Sequence, residues 1–239
     1  MNRRQDIQEL LKEVKSIKSE LNAVKSNQLE ELPKIKIKSA FEHLRSILDY
    51  IALDIHEKYY SGKGRIYFPY ANEEKLFKKH LKKNFKNLIG KNIRVYKLLK
   101  SVQKFNTSTS WLTTLCDITN EQKHNKLTKQ SYQKYDKSVN FAGMFHLSGD
   151  STLIIEGGDV IVNGHKVNKN DGTPLIISDS MSEEEMQKGI NQELPFNPIK
   201  IEEERVEYIL NNTEWDALDL ISTSLYEIEN LVKNLYKII

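Results

Sequence analysis

Polar side chains recur along one face of a predicted helix near the middle of the chain, in the stretch DITNEQKHNKL. Asp117, Asn120 and His124 are three or four residues apart, so a helix projects them to the same side, with Lys123 beside them. A histidine can move a proton near neutral pH, an asparagine can orient a phosphate oxygen, and a lysine can stabilise negative charge. These residue types suit metal-independent cleavage of RNA through its 2′-hydroxyl.

An earlier helix, predicted over SAFEHLRSILDYIALDIHEKYY with Ser39 as its N-cap, supplies complementary groups. Arg45 and Asp49 are four residues apart in it, which favours a salt bridge. The resulting candidate catalytic cluster consists of Arg45, Asp49, Asn120, Lys123 and His124. It requires that helices 39–59 and 109–128 lie side by side. The alternative is a buried structural network, for which Asp49→Ala or His124→Ala would lower stability.

The charges of the chain are distributed unevenly. Between Lys63 and Lys104 there are thirteen Lys and Arg residues and two Glu, whereas between Asp179 and Glu229 there are three Lys and Arg and fourteen acidic residues. Such a division indicates a half that binds a polyanion and a half that masks it, or two faces that attract each other across a subunit contact. A solvated lysine-rich surface is the simplest alternative.

Candidate contacts with nucleic acid follow from this basic stretch. They are Lys78, Lys79, Lys82, Lys83, Lys86, Arg94 and Lys97. Tyr67, Phe85 and Tyr96 could stack on bases if they are exposed, although Phe85 falls on the apolar stripe and is expected in the core.

Several classes of site are excluded by composition and motif. Cys116 is the only cysteine, so the chain has no internal disulfide framework and no multi-cysteine metal site; its helical setting is typical of a packed thiol. The sequence has no Gly-x-Ser-x-Gly elbow, phosphate-gripping Gly-rich loop or His-Glu-x-x-His pair. We therefore expect no metal and no cofactor.

The hydropathy pattern also bears on location. No apolar run approaches the roughly 20 residues of a membrane helix, so we expect no membrane association. The stretch MNRRQDIQEL lacks the apolar core of a signal peptide, and we expect a cytoplasmic protein.

Periodicity predicts a mainly α fold, a helical bundle with long terminal helices and a small antiparallel β insertion. The insertion is predicted because TLIIEGGDVIVNGHKVNKNDGTPLIIS has three short β-branched runs separated by turn signals. The predicted segments are an N-terminal heptad helix at 1–32, a helical bundle core at 33–138, a β-hairpin insertion at 139–180, an acidic connector at 181–212, and a C-terminal helix at 213–239 that packs on the bundle.

The two terminal helices have apolar residues at the alternating three- and four-residue spacing of coiled coils. Narrow seams of this kind must pack on something, so the two helices are natural partners. They could pair within one subunit or across a homodimer.

Four short stretches resemble a group of uncharacterised bacterial helical proteins with an Asn-x-x-Lys-His helix. They are HLRSILDYIAL, YFPY, WLTTLCDITNEQKHNKL and NDGTPLI, and with the long C-terminal helix the likeness covers most of residues 39–239. More loosely, the helical arrangement is similar to HEPN domains, which are helical dimers often found in toxin and phage-defence RNases. This resemblance implies a HEPN-like bundle, a homodimer and an RNA substrate.

The HEPN ribonuclease motif places an Arg and a polar residue four to six positions before a His. His124 matches that His, but the upstream position is Asn120 or Thr119 rather than Arg. Either Arg45 or Lys123 substitutes, or the domain is a relative that does not cleave.

Two functional hypotheses follow. In the first, the protein acts on RNA and is a candidate metal-independent endoribonuclease of a bacterial toxin or phage-defence system. In the second, it is a non-catalytic dimeric interaction module that binds a protein partner or nucleic acid. The size of the protein in solution before and after deletion of residues 1–30 would discriminate between them.

Overall fold

The computed structural model describes residues 3–27, 29–61, 64–124 and 129–239, without the side chains of Lys123 and His124. The chain divides into two compact units, a helical unit of residues 1–132 and 207–239 and a β unit of residues 133–206. The helical unit contains α1 (Arg4–Ser26), α2 (Lys34–Tyr59), α3 (Glu74–Asn84), α4 (Leu88–Lys91), α5 (Ile93–Ser101), a 3₁₀ turn (Lys104–Asn106), α6 (Trp111–His124) and α8 (Ala217–Leu235).

The long terminal helices pack within a single chain. Helix α1 contacts both α2 and α8, and its buried residues are Ile7, Leu11, Val14, Ile17 and Leu21. Helix α8 buries a wider apolar face, because ten of its nineteen residues are buried. The apolar residues of the two terminal helices therefore find their packing partners inside the helical unit, and their burial stabilises both helices.

Helix α2 begins earlier than the sequence predicted. It starts at Lys34 with Pro33 at the N-cap position, so the prediction of Ser39 as N-cap is wrong. Proline restricts φ to values compatible with the start of a helix, here −58°. Ile37 and Ala40 are buried, which extends the apolar face of α2 back through the alternating stretch PKIKIK.

The remaining elements of the chain are short strands and one short helix. The strands are β1 (Gln130–Tyr135), β2 (Ser138–Phe141), β3 (Phe145–Ser148), β4 (Thr152–Ile155), β5 (Ile161–Val162), β6 (His165–Lys166), β7 (Leu175–Ser178), β8 (Ile199–Glu202) and β9 (Arg205–Leu210), with the short helix α7 (Glu183–Gln187) before β8. Strand β2 pairs with β3 and β8, β4 with β7, β5 with β6, and β1 with β9. The division between the two units falls within β1 and β9.

One predicted turn of the β unit is confirmed in detail. Strands β5 and β6 are joined by Asn163 and Gly164, whose φ values are 52° and 79°. Two consecutive positive φ angles are what a tight hairpin needs, and the Asn-Gly pair adopts them at low cost.

A single apolar core stabilises the β unit. Its buried members are Val139, Phe141, Val167, Leu175, Ile177, Met186, Ile190 and Ile199. They come from three strands, β2, β7 and β8, from α7 and from connecting segments, so this core forms only when segments distant in the sequence meet.

The prediction of a mainly α fold is wrong. The chain is 49% helix and 17% strand, with several small antiparallel sheets. Two strands, β8 and β9, lie in the stretch that was predicted as an acidic connector. There Val206, Tyr208 and Leu210 alternate with more exposed residues, which is the period-two pattern of a strand. The five-segment division of the chain stays a prediction.

In the part of the chain that the structure describes, no helix combines the length and the apolar character needed to cross a membrane.

Candidate functional site

A cleft of about 380 Å³ lies in the helical unit. It is formed by α2, the segment between α2 and α3, α3 itself and α6. Its lining residues are Arg45, Asp49, Tyr67, Phe68, Pro69, Tyr70, His80, Lys83, Asn84 and Asn120. Three members of the predicted catalytic cluster, Arg45, Asp49 and Asn120, therefore line one cavity.

The predicted salt bridge on α2 is present. A distance of 3.4 Å separates Arg45 Nη2 from Asp49 Oδ1. Arg45 is only 7% exposed, and such a buried charge needs partners to offset its desolvation. The same Asp49 oxygen accepts the backbone N–H of Phe68 at 2.9 Å, so one carboxylate links α2 to the segment before α3.

Arg45 also joins α2 to α6. Its Nη1 donates to Cys116 Sγ, and its guanidinium lies 5.3 Å from the centre of the Tyr70 ring, a cation–π distance. Helices α2 and α6 are thus in contact at this point, as the predicted catalytic cluster requires. Burial lowers the pKa of Arg45, but interactions with Cys116 and Asp49 outweigh burial and leave that pKa raised.

The thiol of Cys116 is inert at neutral pH. Burial raises its pKa to about 12, and the nearby guanidinium of Arg45 opposes this rise only in part. A protonated, fully buried thiol is a poor nucleophile. Cys116 is therefore a packed residue and a hydrogen-bond acceptor for Arg45, consistent with the sequence interpretation.

Residues 68–71, which have no regular secondary structure, are held by hydrogen bonds to a buried side chain. Gln103 Oε1 accepts the N–H of Ala71 at 3.0 Å, and Gln103 Nε2 donates to the carbonyl of Pro69 at 3.0 Å. Gln103 is completely buried, so its amide substitutes for the backbone partners that this irregular segment lacks. The floor of the cleft is consequently fixed in position.

Tyr70 is the central residue that the sequence analysis missed. Its hydroxyl donates to Asp117 Oδ1 at 3.3 Å and accepts from Asn120 Nδ2 at 3.1 Å. Burial, followed by the influence of Cys116 and Asp117, raises the pKa of Tyr70 to about 12. Tyr70 therefore stays protonated at neutral pH. The one available signal was the stretch YFPY, whose residues carry no recognised catalytic spacing.

Helix α3 contributes two further side chains that the catalytic cluster did not include. His80 Nδ1 is 2.9 Å from the carbonyl oxygen of Tyr70, and Lys83 follows one turn later on the same face. Lys83 was predicted as a nucleic-acid contact, whereas His80 was not singled out. His80 follows Lys79 in a lysine-rich helix, so its sequence context resembled a solvated face.

The predicted nucleic-acid contacts are exposed. Lys78, Lys79, Lys82, Lys83 and Lys86 extend along and just beyond α3, and Arg94 and Lys97 lie on α5. Lys78 pairs with Glu74 at 3.0 Å. Of these seven residues, Lys83 lines the cleft.

The three aromatic candidates for stacking separate clearly by exposure. Phe85 is 1% exposed and Tyr96 is 9% exposed, so both belong to the core. Tyr67 is 49% exposed and lines the cleft, and it is therefore the aromatic ring available to a ligand.

Two members of the predicted catalytic cluster cannot be placed relative to the cleft. The backbone of α6 extends to His124. The side chains of Lys123 and His124 lie outside the described residues. Their assignment to a catalytic cluster stays a prediction.

Across the described residues there is no group of three or more His, Cys, Asp or Glu side chains arranged to hold a metal ion. The cleft groups are instead suited to binding an anion. Arg45 and Lys83 provide positive charge, while His80, Asn120 and Tyr70 provide hydrogen-bonding groups.

Comparison with known proteins gives no relative for this chain, since no family model, curated protein or solved structure matches it. Kinship with HEPN domains and with the bacterial helical group stays a prediction.

Proposed function

We propose that this protein binds RNA through the cleft and the basic face of α3, and that it cleaves the bound strand without a metal ion. The observation that supports this proposal best is the cleft itself. There Arg45, Asp49 and Asn120, named from sequence for this chemistry, lie with His80 and Lys83 in one cavity.

The basic face of α3 is suited to a phosphate backbone. Exposed lysines recur along this helix and just beyond it, and such residues bind polyanions by releasing condensed counterions. Lys83 continues this face into the cleft. An RNA strand bound along these lysines would therefore reach the cleft.

The cleft has the dimensions and chemistry for a nucleotide. Its volume of about 380 Å³ lies within the range typical of small-ligand sites. Tyr67 offers a ring face for a base, and stacking on aromatic residues is the usual mode of single-strand recognition. Lys83 and Arg45 would then offset the charge of the adjacent phosphate.

Binding can be tested by charge reversal in the full chain. We expect Lys83→Glu to weaken binding of a fluorescent single-stranded RNA about tenfold. The fall of log affinity with log salt should also become less steep, by about 1 in slope. Fluorescence anisotropy at several salt concentrations measures both. The control Lys188→Glu makes the same charge change at an exposed position of the β unit. Equal affinities for wild type and Lys83→Glu would contradict binding at the cleft.

Cleavage through the 2′-hydroxyl needs groups that move protons, and His124 remains proposed from the sequence as one acid/base residue of the reaction. Expression of wild type and His124→Ala in bacteria tests this assignment. We expect growth arrest and RNA fragmentation with wild type only, as for a toxin or phage-defence RNase. Equal growth and equally intact RNA in both cultures would count against catalysis by His124.

A second candidate function is a non-catalytic module, homodimeric or bound to a protein partner, that binds RNA or that partner without cleaving it. Arg45 contacts Asp49, Cys116 and Tyr70. These contacts support the alternative, because they are also what a purely structural polar network between the helices would contain. It predicts RNA or partner binding with no loss of RNA integrity. Light scattering of the purified full chain measures whether a homodimer forms.

A further inference from the structure

His80 is oriented by a bond that determines which of its nitrogens is free. Its Nδ1 lies 2.9 Å from the backbone carbonyl oxygen of Tyr70. A carbonyl oxygen can only accept, so Nδ1 carries the hydrogen of this bond. In the neutral ring Nε2 then has the free lone pair, and it belongs to a side chain that is exposed and lines the cleft.

We propose that His80 is the proton acceptor of the RNA cleavage reaction, with Nε2 removing the proton of the 2′-hydroxyl. This inference rests on the proposed function and adds a catalytic residue to it. The motif spacing considered for His124 does not include His80.

The support beneath His80 is rigid, which a catalytic base requires. The carbonyl that receives its Nδ1–H belongs to Tyr70, whose hydroxyl is bound by Asp117 and Asn120. The residues on either side of Tyr70 are held by Gln103. Preorganisation of this kind fixes both the tautomer and the ring plane before a substrate binds.

The charged and titratable groups around the cleft suit the proposed reaction. Lys83 on α3 and Arg45 on α2 are cations, with Asp49 paired to Arg45. Tyr67 and Tyr70 come from the segment between these helices. The cations favour both the phosphate and the negative charge that develops on its oxygens in the transition state.

The reaction balances without a co-reactant other than water. Nε2 of His80 takes the proton of the 2′-hydroxyl, and the 2′-oxygen forms a bond to phosphorus. The bond between phosphorus and the 5′-oxygen breaks, and that oxygen takes a proton from water. The imidazolium returns its proton to the resulting hydroxide. The products are a 2′,3′-cyclic phosphate and a free 5′-hydroxyl.

A structural role for His80 makes a different prediction from a catalytic one. If His80 only holds the carbonyl of Tyr70, a side chain that keeps a donor at the δ position should replace it. Asparagine has its amide nitrogen near that position but cannot accept a proton at neutral pH. His80→Asn therefore separates the hydrogen bond from the proton transfer.

The test compares purified full-length wild type, His80→Asn and His146→Asn on a single-stranded RNA oligonucleotide in the presence of EDTA. His146 is exposed on β3 and serves as the matched control. We expect His80→Asn to bind RNA within about twofold of wild type and to cleave at least about 100-fold more slowly, the usual loss of a general base. The 2′,3′-cyclic phosphate end should be produced at the same rate by wild type and His146→Asn.

Each outcome is decisive. Cleavage by His80→Asn at the wild-type rate overturns the role of His80, while the proposed function stands. RNA that is bound but left intact by wild type overturns cleavage and this inference together, leaving binding. Absence of RNA binding by wild type overturns the proposed function itself.

Discussion

At the scale of single residues, Arg45 shows what a short spacing can and cannot predict. Its bridge to Asp49 follows from four residues of helical separation and is present at 3.4 Å. Its contacts with Cys116 and Tyr70 come from segments 71 and 25 positions away, and no local pattern indicates them. No local pattern indicates the contact of His80 with the carbonyl of Tyr70 either, although this contact orients the His80 ring.

The buried thiol beside Arg45 leads to a prediction about alkaline stability. Burial raises the pKa of Cys116 from 9.0 to about 12 in the folded protein, so between these values the unfolded state loses the proton first. The free energy of unfolding should therefore be unaffected below about pH 9 and fall as the pH rises towards 12, by at most about 1.4 kcal/mol per pH unit for one group. Tyr70, whose pKa is also raised to about 12, adds to this fall above pH 10.

Cys116→Ser keeps an acceptor for Arg45 and removes the titrating thiol. We expect its stability to fall less steeply than that of wild type between pH 9 and pH 10.5. Urea unfolding followed by the fluorescence of the two tryptophans, of which Trp111 is buried, measures this difference. Tyr226→Phe, at a position that is 64% exposed, is the control and should follow wild type. Parallel curves for wild type and Cys116→Ser would contradict the prediction.

At the scale of elements, the site depends on a segment with no regular secondary structure. Residues 68–71 contribute Tyr70 to the cleft and are held by hydrogen bonds from their backbone to Asp49 and Gln103. An irregular segment of this kind has no periodicity, which is why sequence analysis could quote YFPY but could not assign it a role. Helix α2 illustrates the opposite case, in which a short alternating stretch was part of a longer helical stripe.

Gln103→Leu tests the importance of this segment. The substitution keeps the side-chain volume but leaves the N–H of Ala71 and the carbonyl of Pro69 without their partner. Since unpaired buried polar groups cost about 1 to 3 kcal/mol each, we expect the free energy of unfolding to fall by about 3 kcal/mol. We also expect weaker RNA binding, because the floor of the cleft loosens.

Urea unfolding and RNA anisotropy measure the two effects of Gln103→Leu. Gln133→Leu, at an exposed position on β1, should change neither by a measurable amount. A folded Gln103→Leu protein with wild-type RNA affinity would show that the hydrogen bonds of Gln103 to this segment are not needed for RNA binding.

At the scale of the whole molecule, the apolar seams of the terminal helices pack against other helices of the same helical unit. Leu21 of α1 is fully buried, and α1 packs on both α2 and α8. Burial of the α1 seam within one chain leaves it unavailable for the homodimer that the terminal heptads suggested. A homodimer would have to use another surface.

Leu21→Ala distinguishes these two uses of the seam. We expect a loss of about 3 kcal/mol in the free energy of unfolding from the deleted side chain and the cavity that it leaves. Because the contact is intramolecular, this loss should be the same at protein concentrations 100-fold apart. Thermal unfolding by circular dichroism at the two concentrations measures it, with Leu29→Ala, at a 52% exposed position, as control. A loss that depends on concentration would instead indicate a seam shared between subunits.

The sequence alone determined the features that depend on near neighbours. These are the long terminal helices, the bridge from Arg45 to Asp49, the exposed basic face of α3 and the Asn163–Gly164 turn. Each follows from helical or strand periodicity or from backbone preferences within a few residues. Only the tertiary structure decided the pairing of β2 with β8, the burial of Gln103 and the meeting of Tyr70, His80 and Asn120. These depend on which distant segments bury their apolar surfaces together, and local spacing contains little information about that choice.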